Sequence, residues 1–366
     1  MIDGGSYEGI FLTIITIFTI VISYKYSIYS DPELIHKSKF SKAPSLFLTI
    51  FLIIFIGCRP LHSAFLDMWN YTEYYNHNLG VPFSFDLDKT NFIFDNLFSY
   101  LSSRYADIVI FFIIMAALYL GGIYIACDKL FPNDTLYALI IYLGAFSTFS
   151  YATNGLKAGA AASIFLLALG FYDKKVICAL LLWISLGFHH AMILPIYALV
   201  ICYFYRKPKF YLALWFICVM IAYAHIDFFQ SFFQDLADEE GSGYLSTSAY
   251  ESGGYYTGFR PDFILYSAFP IFVGYWAIFR NNYISKFYNL IYCTYLLSNS
   301  IWMLCMYASF TNRIAYLSWF MLPIVIVYPF FDKYFTINQY RKLDIVAWCN
   351  LGFTLFMTLI YYRLIK

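Results

Sequence analysis

Residues 174–209 read KKVICALLLWISLGFHHAMILPIYALVICYFYRKPK. Basic clusters close both ends: Lys174 and Lys175 on one side, Arg206, Lys207 and Lys209 on the other, with 30 residues between Lys175 and Arg206. One helix across a bilayer needs ~20 apolar residues and two full spans need ~40. A single helix would put one basic cluster outside, against the rule that Lys and Arg gather on the cytoplasmic side. Two short helices with a turn near Gly187 to Ala191 keep both clusters inside. The turn then lies below the outer membrane surface and carries His189 and His190. Irregular backbone at that depth is tolerated only within protein or beside a water-filled cavity. An ionisable residue there is a functional-site candidate. Either histidine would be a base or polar contact at the floor of an outward-facing cavity; the plainer alternative is a buried histidine bonded to a backbone carbonyl.

The rest of the 366 residues follow the same pattern. Hydrophobic residues make up 61% and charged residues only 12%, with a mean hydropathy of +0.65. Such a chain is no soluble enzyme, disordered segment or coiled coil. A net charge of +1 provides no broad basic surface for nucleic acid. Apolar runs fall at about 8–24, 43–58, 106–127, 133–151, 155–172, 176–188, 191–205, 210–226, 262–279, 287–308, 312–331 and 343–362. They are too long and continuous for barrel strands, so they predict helices. The expected fold is all-α: one polytopic membrane domain over residues 1–366, with about twelve transmembrane helices.

Placing the N-terminus outside gives the inner side 15 basic and 7 acidic residues, and the outer side 8 basic and 15 acidic. The C-terminus is then also outside. Two outer loops are long, at 59–105 and 227–261, and loops of such length are usually functional or disordered. The second is rich in acids, Gly, Ser and Tyr, and reads either as an acidic surface loop or as a lid with Tyr255 and Tyr256 as sugar-stacking platforms. The two halves show no internal repeat, which weighs against a transporter of duplicated halves. The first apolar run is preceded by Asp3 and Glu8 and no basic residue, unlike a signal peptide. Eight scattered cysteines form neither a C-x-x-C pair nor a metal spacing, so no disulfide framework or zinc is expected.

The outer cations oppose the topology rule and need local reasons. Arg59 ends the second run, and Lys157, Arg260 and Arg313 begin the fifth, ninth and eleventh. Each one alone could snorkel to lipid headgroups. Four from separate helices predict convergence on an anion, and a lipid diphosphate at the outer surface fits. Arg104 is a further candidate. In TNGLKAG, residues 153–159, Asn154 is expected to cap the fifth helix and Gly155 to ease the turn. Asn154 and Lys157 then share a face near a helix N-terminus, where anions bind. The pair Asp86 and Asp88 could hold a metal, but a solvated acidic loop is the preferred reading, and no metal or other cofactor is expected.

These residues, in this order, resemble the EpsG-type, Wzy-like polysaccharide polymerases of bacterial inner membranes. The family pattern is an Arg followed by Gly-Thr-Asp and Tyr, then Asn-x-x-Arg-Gln, then Phe-His-x-Ser-Ala. Arg59, Asp67 and Tyr71 match the first element without its glycine; Lys157 and Ala158 stand for the Arg and Gln of the second. Phe188 and His189 match the third, with Ala191 for Ser. The likeness covers roughly residues 50–330. It implies transfer of a growing glycan from undecaprenyl diphosphate to a sugar hydroxyl of a new lipid-linked repeat unit, at the periplasmic face of the inner membrane. Its product would be an O-antigen, capsule or exopolysaccharide. Its partners would be undecaprenyl-diphosphate-linked repeat units, membrane lipid and a chain-length regulator protein. Arg59, Lys157, Arg313, Arg260 and Asn154 would bind the diphosphate, and Tyr71, Tyr255 and Tyr256 the glycan. His189, then His190, then Asp67, would be the base. The alternatives are a lipid-linked oligosaccharide flippase or transporter, and an O-antigen ligase.

Overall fold

The computed structural model describes residues 2–28, 42–226, 228–229, 258–308 and 311–361. Helices carry all twelve apolar runs. Five have the length and apolarity to cross a membrane: Gly4–Tyr26, Ile108–Leu130, Pro261–Arg280, Thr311–Asp332 and Gln339–Ile360. Five more are apolar but shorter: Lys42–Gly57, Leu156–Gly170, Lys175–Phe188, His190–Phe204 and Pro208–Tyr223. The run expected at 133–151 is broken, because the helix Thr135–Leu143 stops at Gly144 and a short one resumes at Thr148. The helix Lys286–Leu304 is less apolar, since it carries Asn289, Thr294, Ser298, Asn299 and Ser300.

The chain divides into two compact units, 1–189 with 338–366, and 190–337. The first holds α1 (Tyr7–Ile28), α2 (Lys42–Gly57), α3 (Leu66–His77), α4 (Phe92–Ser103), α5 (Ile108–Ala116), α6 (Gly122–Leu130), α7 (Thr135–Leu143), α8 (Thr148–Thr153), α9 (Leu156–Gly170) and α10 (Lys175–Phe188). The second holds α11 (Ile193–Phe204), α12 (Pro208–Tyr223), α13 (Pro261–Tyr275), α14 (Lys286–Leu304), α15 (Thr311–Trp319) and α16 (Leu322–Asp332). The last helix, α17 (Gln339–Phe356), returns to the first unit. The stretch 59–105, expected as a loop, folds into α3 and α4 with an irregular arch between them.

In the first unit, polar and charged groups at the helix ends meet in two sets. At one end Lys42 pairs with Asp128 at 2.8 Å, Tyr26 donates to buried Asp134 at 2.5 Å, and Tyr137 donates to Asp344. All of these groups fall on the side read as inner. At the other end Asp3 faces His62 at 3.5 Å and Tyr7 stacks on Phe55 at 4.5 Å. The C-terminal helix is fastened by polar groups: Asn350 donates to the Ile141 carbonyl at 3.0 Å, and Thr354 to that of Gly144 at 2.8 Å. Between apolar helices the hydrophobic effect does not discriminate protein from lipid, so such bonds hold helices together.

The second unit obeys the same logic. Pro329 has no N–H, which leaves the Val325 carbonyl without its helical donor. The buried Tyr288 hydroxyl supplies one at 2.9 Å. Asn299 sits at the core of the unit: it accepts from the Trp215 indole at 2.7 Å and donates to Ser267 at 3.1 Å and Ser318 at 2.9 Å. Trp319 donates to the same Ser267 hydroxyl at 2.7 Å. Four helices are thereby joined through one amide.

Candidate functional site

The end of the first unit opposite Lys42 and Asp128 is organised by a broken helix. After α8, Asn154 keeps a helical backbone (φ −112°, ψ −54°) and its N–H still donates to Ser150. It therefore ends α8 rather than starting α9. The expected capping by Asn154 does not occur: Gly155 holds the N-cap position, and no side chain caps the helix. The physical reason is conformational, because a side-chain N-cap needs extended backbone at that residue. Asn154 is left with its buried Oδ1 lacking a hydrogen-bond partner among the described residues. The close approach of α8 to α9 rests on Gly159, whose missing Cβ would stand 2.7 Å from the Tyr151 carbonyl oxygen.

Arg59 fixes this break from below. Its guanidinium donates to the Ile56 carbonyl in the last turn of α2 and to the Thr153 carbonyl at the end of α8, both at 2.8 Å. It lies between Phe112 and Phe65, at 4.9 and 5.4 Å from the ring centres. A cation at two helix C-termini meets the negative ends of both dipoles. Arg59 is 2% exposed, and burial pushes its pKa down to about 10, so it stays charged at neutral pH. Its Nε has no hydrogen-bond partner among the described residues.

Lys157 stands in the first turn of α9, half-buried, with its ammonium 5.1 Å from the Phe94 ring centre. Phe94 packs against Tyr71 at 5.8 Å and Phe111 at 5.5 Å, so α3 and α4 roof the first turn of α9 with aromatic faces. Asp67 lies one turn before Tyr71 on α3, half-buried.

His189 enters the same level through helix register. In the antiparallel hairpin of α9 and α10, the Ser185 hydroxyl donates to the Ala161 carbonyl at 2.7 Å. Four residues outward from Ser185 is His189, and four outward from Ala161 is Lys157. At about 1.5 Å per residue, both backbones stand one turn above that bond. The helix ends as expected at Phe188. His189 is extended (φ −151°, ψ 113°), and a 3-10 turn, His190–Met192, follows.

The structure thus brings Arg59, Asn154, Lys157, Tyr71 and His189 to one end of the first unit, with Asp67 on the adjoining α3. His190, Arg260 and Arg313 belong to the second unit. Arg260 is forked onto Asp262 at 2.9 and 2.6 Å and lies 3.8 Å from the Phe263 ring centre. Arg313 is exposed in the first turn of α15. Arg104 ends α4, exposed, over Tyr100. Tyr255 and Tyr256 lie outside the described residues. Phe94, Ser185 and the Thr153 carbonyl were not legible as site components: one Phe among 40, one Ser and a backbone atom carry no sequence signal.

A helical protein with membrane-crossing helices, a broken helix, and a lysine and a histidine at one level of one end is the class this fold defines. The sequence profile of the EpsG family matches residues 42–366, and the chain belongs to that family. The match extends the likeness read from the motifs to the C-terminal helix. No curated protein and no solved structure matches the chain. Family membership makes it a polysaccharide-polymerase-like membrane protein.

Proposed function

We propose that the protein polymerises a glycan at the periplasmic face of the inner membrane, moving a growing chain from undecaprenyl diphosphate to a sugar hydroxyl of the next lipid-linked repeat unit. The observation that carries this reading is the placement of Lys157 and His189 at one level, beside the break between α8 and α9. In the reaction the bond from the anomeric carbon to the phosphate oxygen breaks, and a bond to the acceptor oxygen forms. Charge then builds on the departing diphosphate, where Lys157 and the N-terminal end of α9 stabilise it. His189 takes the proton of the acceptor hydroxyl. His190 and Asp67 are the second and third choices for that role. The unpartnered Oδ1 of Asn154 accepts a hydrogen bond from a donor-sugar hydroxyl, and Tyr71 lines the glycan path.

Arg59 acts in this scheme as a positioning residue, since its guanidinium already serves two carbonyls. Arg313, exposed at its helix start in the second unit, would meet an anionic lipid headgroup. For Arg260 the bidentate hold of Asp262 must first be given up, which makes it the weakest of the cations.

Complementation of cells lacking the gene tests the reading, with glycan length resolved on gels. His189→Ala and Lys157→Met should leave single repeat units displayed outside, while Lys157→Arg, which keeps charge and adds a phosphate-matching fork, should restore chains. Normal long chains from both His189→Ala and Lys157→Met would remove the assigned roles. Repeat units stranded inside the cell upon gene loss would indicate a transporter instead.

A further inference from the structure

The arch between α3 and α4 presents one apolar face. Residues 79–88 read LGVPFSFDLD, in which Val81, Phe83, Phe85 and Leu87 alternate with Pro82, Ser84, Asp86 and Asp88. That is the period of a strand with one apolar and one polar side. All four apolar side chains are exposed, Phe85 and Leu87 at 63% each. The segment is fastened to α4. Gly80, at φ +73°, donates its N–H to the Ser102 carbonyl at 3.1 Å. Buried Asn96 grips Asp86 from both sides, accepting from its N–H at 2.9 Å and donating to its carbonyl at 2.6 Å. Asp86 in turn accepts from the Asp88 N–H, and Phe83 edges onto Tyr100 at 5.5 Å.

Two observations say what covers this face. Phe92, at the start of α4, packs on Trp183 at 5.2 Å. Trp183 ends an exposed apolar stripe on α10 formed with Val176 and Leu180, at the spacing of one helix face. On a membrane helix such a stripe faces lipid, and Trp marks the boundary with water. The arch therefore begins where the lipid-facing belt ends. Pairing with a second copy through strand edges is disfavoured, because Pro82 has no N–H to donate. Irregular backbone cannot enter hydrocarbon, so only the side chains go down while Asp86 and Asp88 stay in water.

We propose that residues 81–87 form an interfacial anchor, whose apolar side chains insert into the outer leaflet beside α10. The anchor holds α4, and with it Phe94 over Lys157, at the membrane surface. The proposal stands on the membrane embedding of the chain and not on the polymerase reading. It is tested on the full-length protein in lipid vesicles, with exposed Cys58 and Cys349 replaced by Ser. Nitroxides are placed singly through Phe85→Cys, Leu87→Cys, Ser84→Cys and Asp88→Cys. Collisions with oxygen, which concentrates in lipid, are compared with those of a water-soluble nickel chelate. The oxygen-to-chelate ratio should be several-fold higher at 85 and 87 than at 84 and 88. Equal chelate access at all four positions would overturn the proposal, as would spin–spin broadening at 85 that reports a second copy. As a second measurement, Phe85→Trp should add fluorescence that brominated phospholipids quench; added emission that they leave unquenched counts against insertion.

Discussion

Replacing Gly159 by alanine probes the broken helix without touching a charged group. The new Cβ would stand 2.7 Å from the Tyr151 carbonyl oxygen, whereas ordinary contact begins near 3.4 Å. The partner atom is backbone, so the first turn of α9 must move from α8 by about 0.7 Å, the difference between these two distances. Overpacking of this kind costs about 1–3 kcal/mol, against which the better helix propensity of Ala returns less than ~1 kcal/mol. The displaced segment carries Lys157, and an error near 1 Å in a reacting group can cost about 100-fold in rate. The expected outcome is a modest drop in thermal unfolding temperature in detergent, and glycan chains shortened to one or a few repeats in complemented cells. Gly352→Ala is the control, since nothing lies within 4 Å of its Cβ position. Wild-type chain length and stability in Gly159→Ala would refute the argument that this close approach sets the site.

In the second unit, Asn299→Ala leaves the Trp215 indole unpaired in the core and should destabilise the protein by about 1–3 kcal/mol, read as a lowered unfolding temperature in detergent. Ser185→Ala removes the bond that sets the register of α9 against α10, and should cost about 0.5–1.5 kcal/mol while shortening glycans more than that loss of stability explains. Asp262→Ala removes the bidentate acceptor of the Arg260 guanidinium and should lower the unfolding temperature in detergent, whereas Asp262→Glu should restore part of it. Arg59→Lys keeps the charge but reaches one of the two helix ends, so glycan length should fall between wild type and Arg59→Ala in the same cells.

The twelve apolar runs located the helices to within a few residues in most places, because in lipid the backbone must satisfy itself and helix is its local solution. The largest disagreements fell where tertiary packing overrides periodicity. The run at 133–151 breaks at Gly144, whose carbonyl is taken by Thr354 from the far end of the chain. The stretch 59–105 has too few continuous apolar residues to announce a span, yet α3 and α4 form there around a cluster of Tyr71, Phe94, Phe98 and Phe111. The period-2 pattern at 81–87 is plain in the residues but acquires meaning only with its exposure.

What the sequence determined by itself is the membrane class, most helix positions and the helix break at His189. All of these are local or additive: hydropathy, charge and turn chemistry act residue by residue. Only the tertiary structure decided that Arg59 lies against carbonyls of α2 and α8, that Asn154 ends one helix instead of capping the next, and that His189 reaches the level of Lys157 through the bond of Ser185 to Ala161. These depend on which helices pack together and at what register. A chain in which nearly every buried surface is equally apolar leaves that choice to a few long-range polar contacts and close approaches that no single segment encodes.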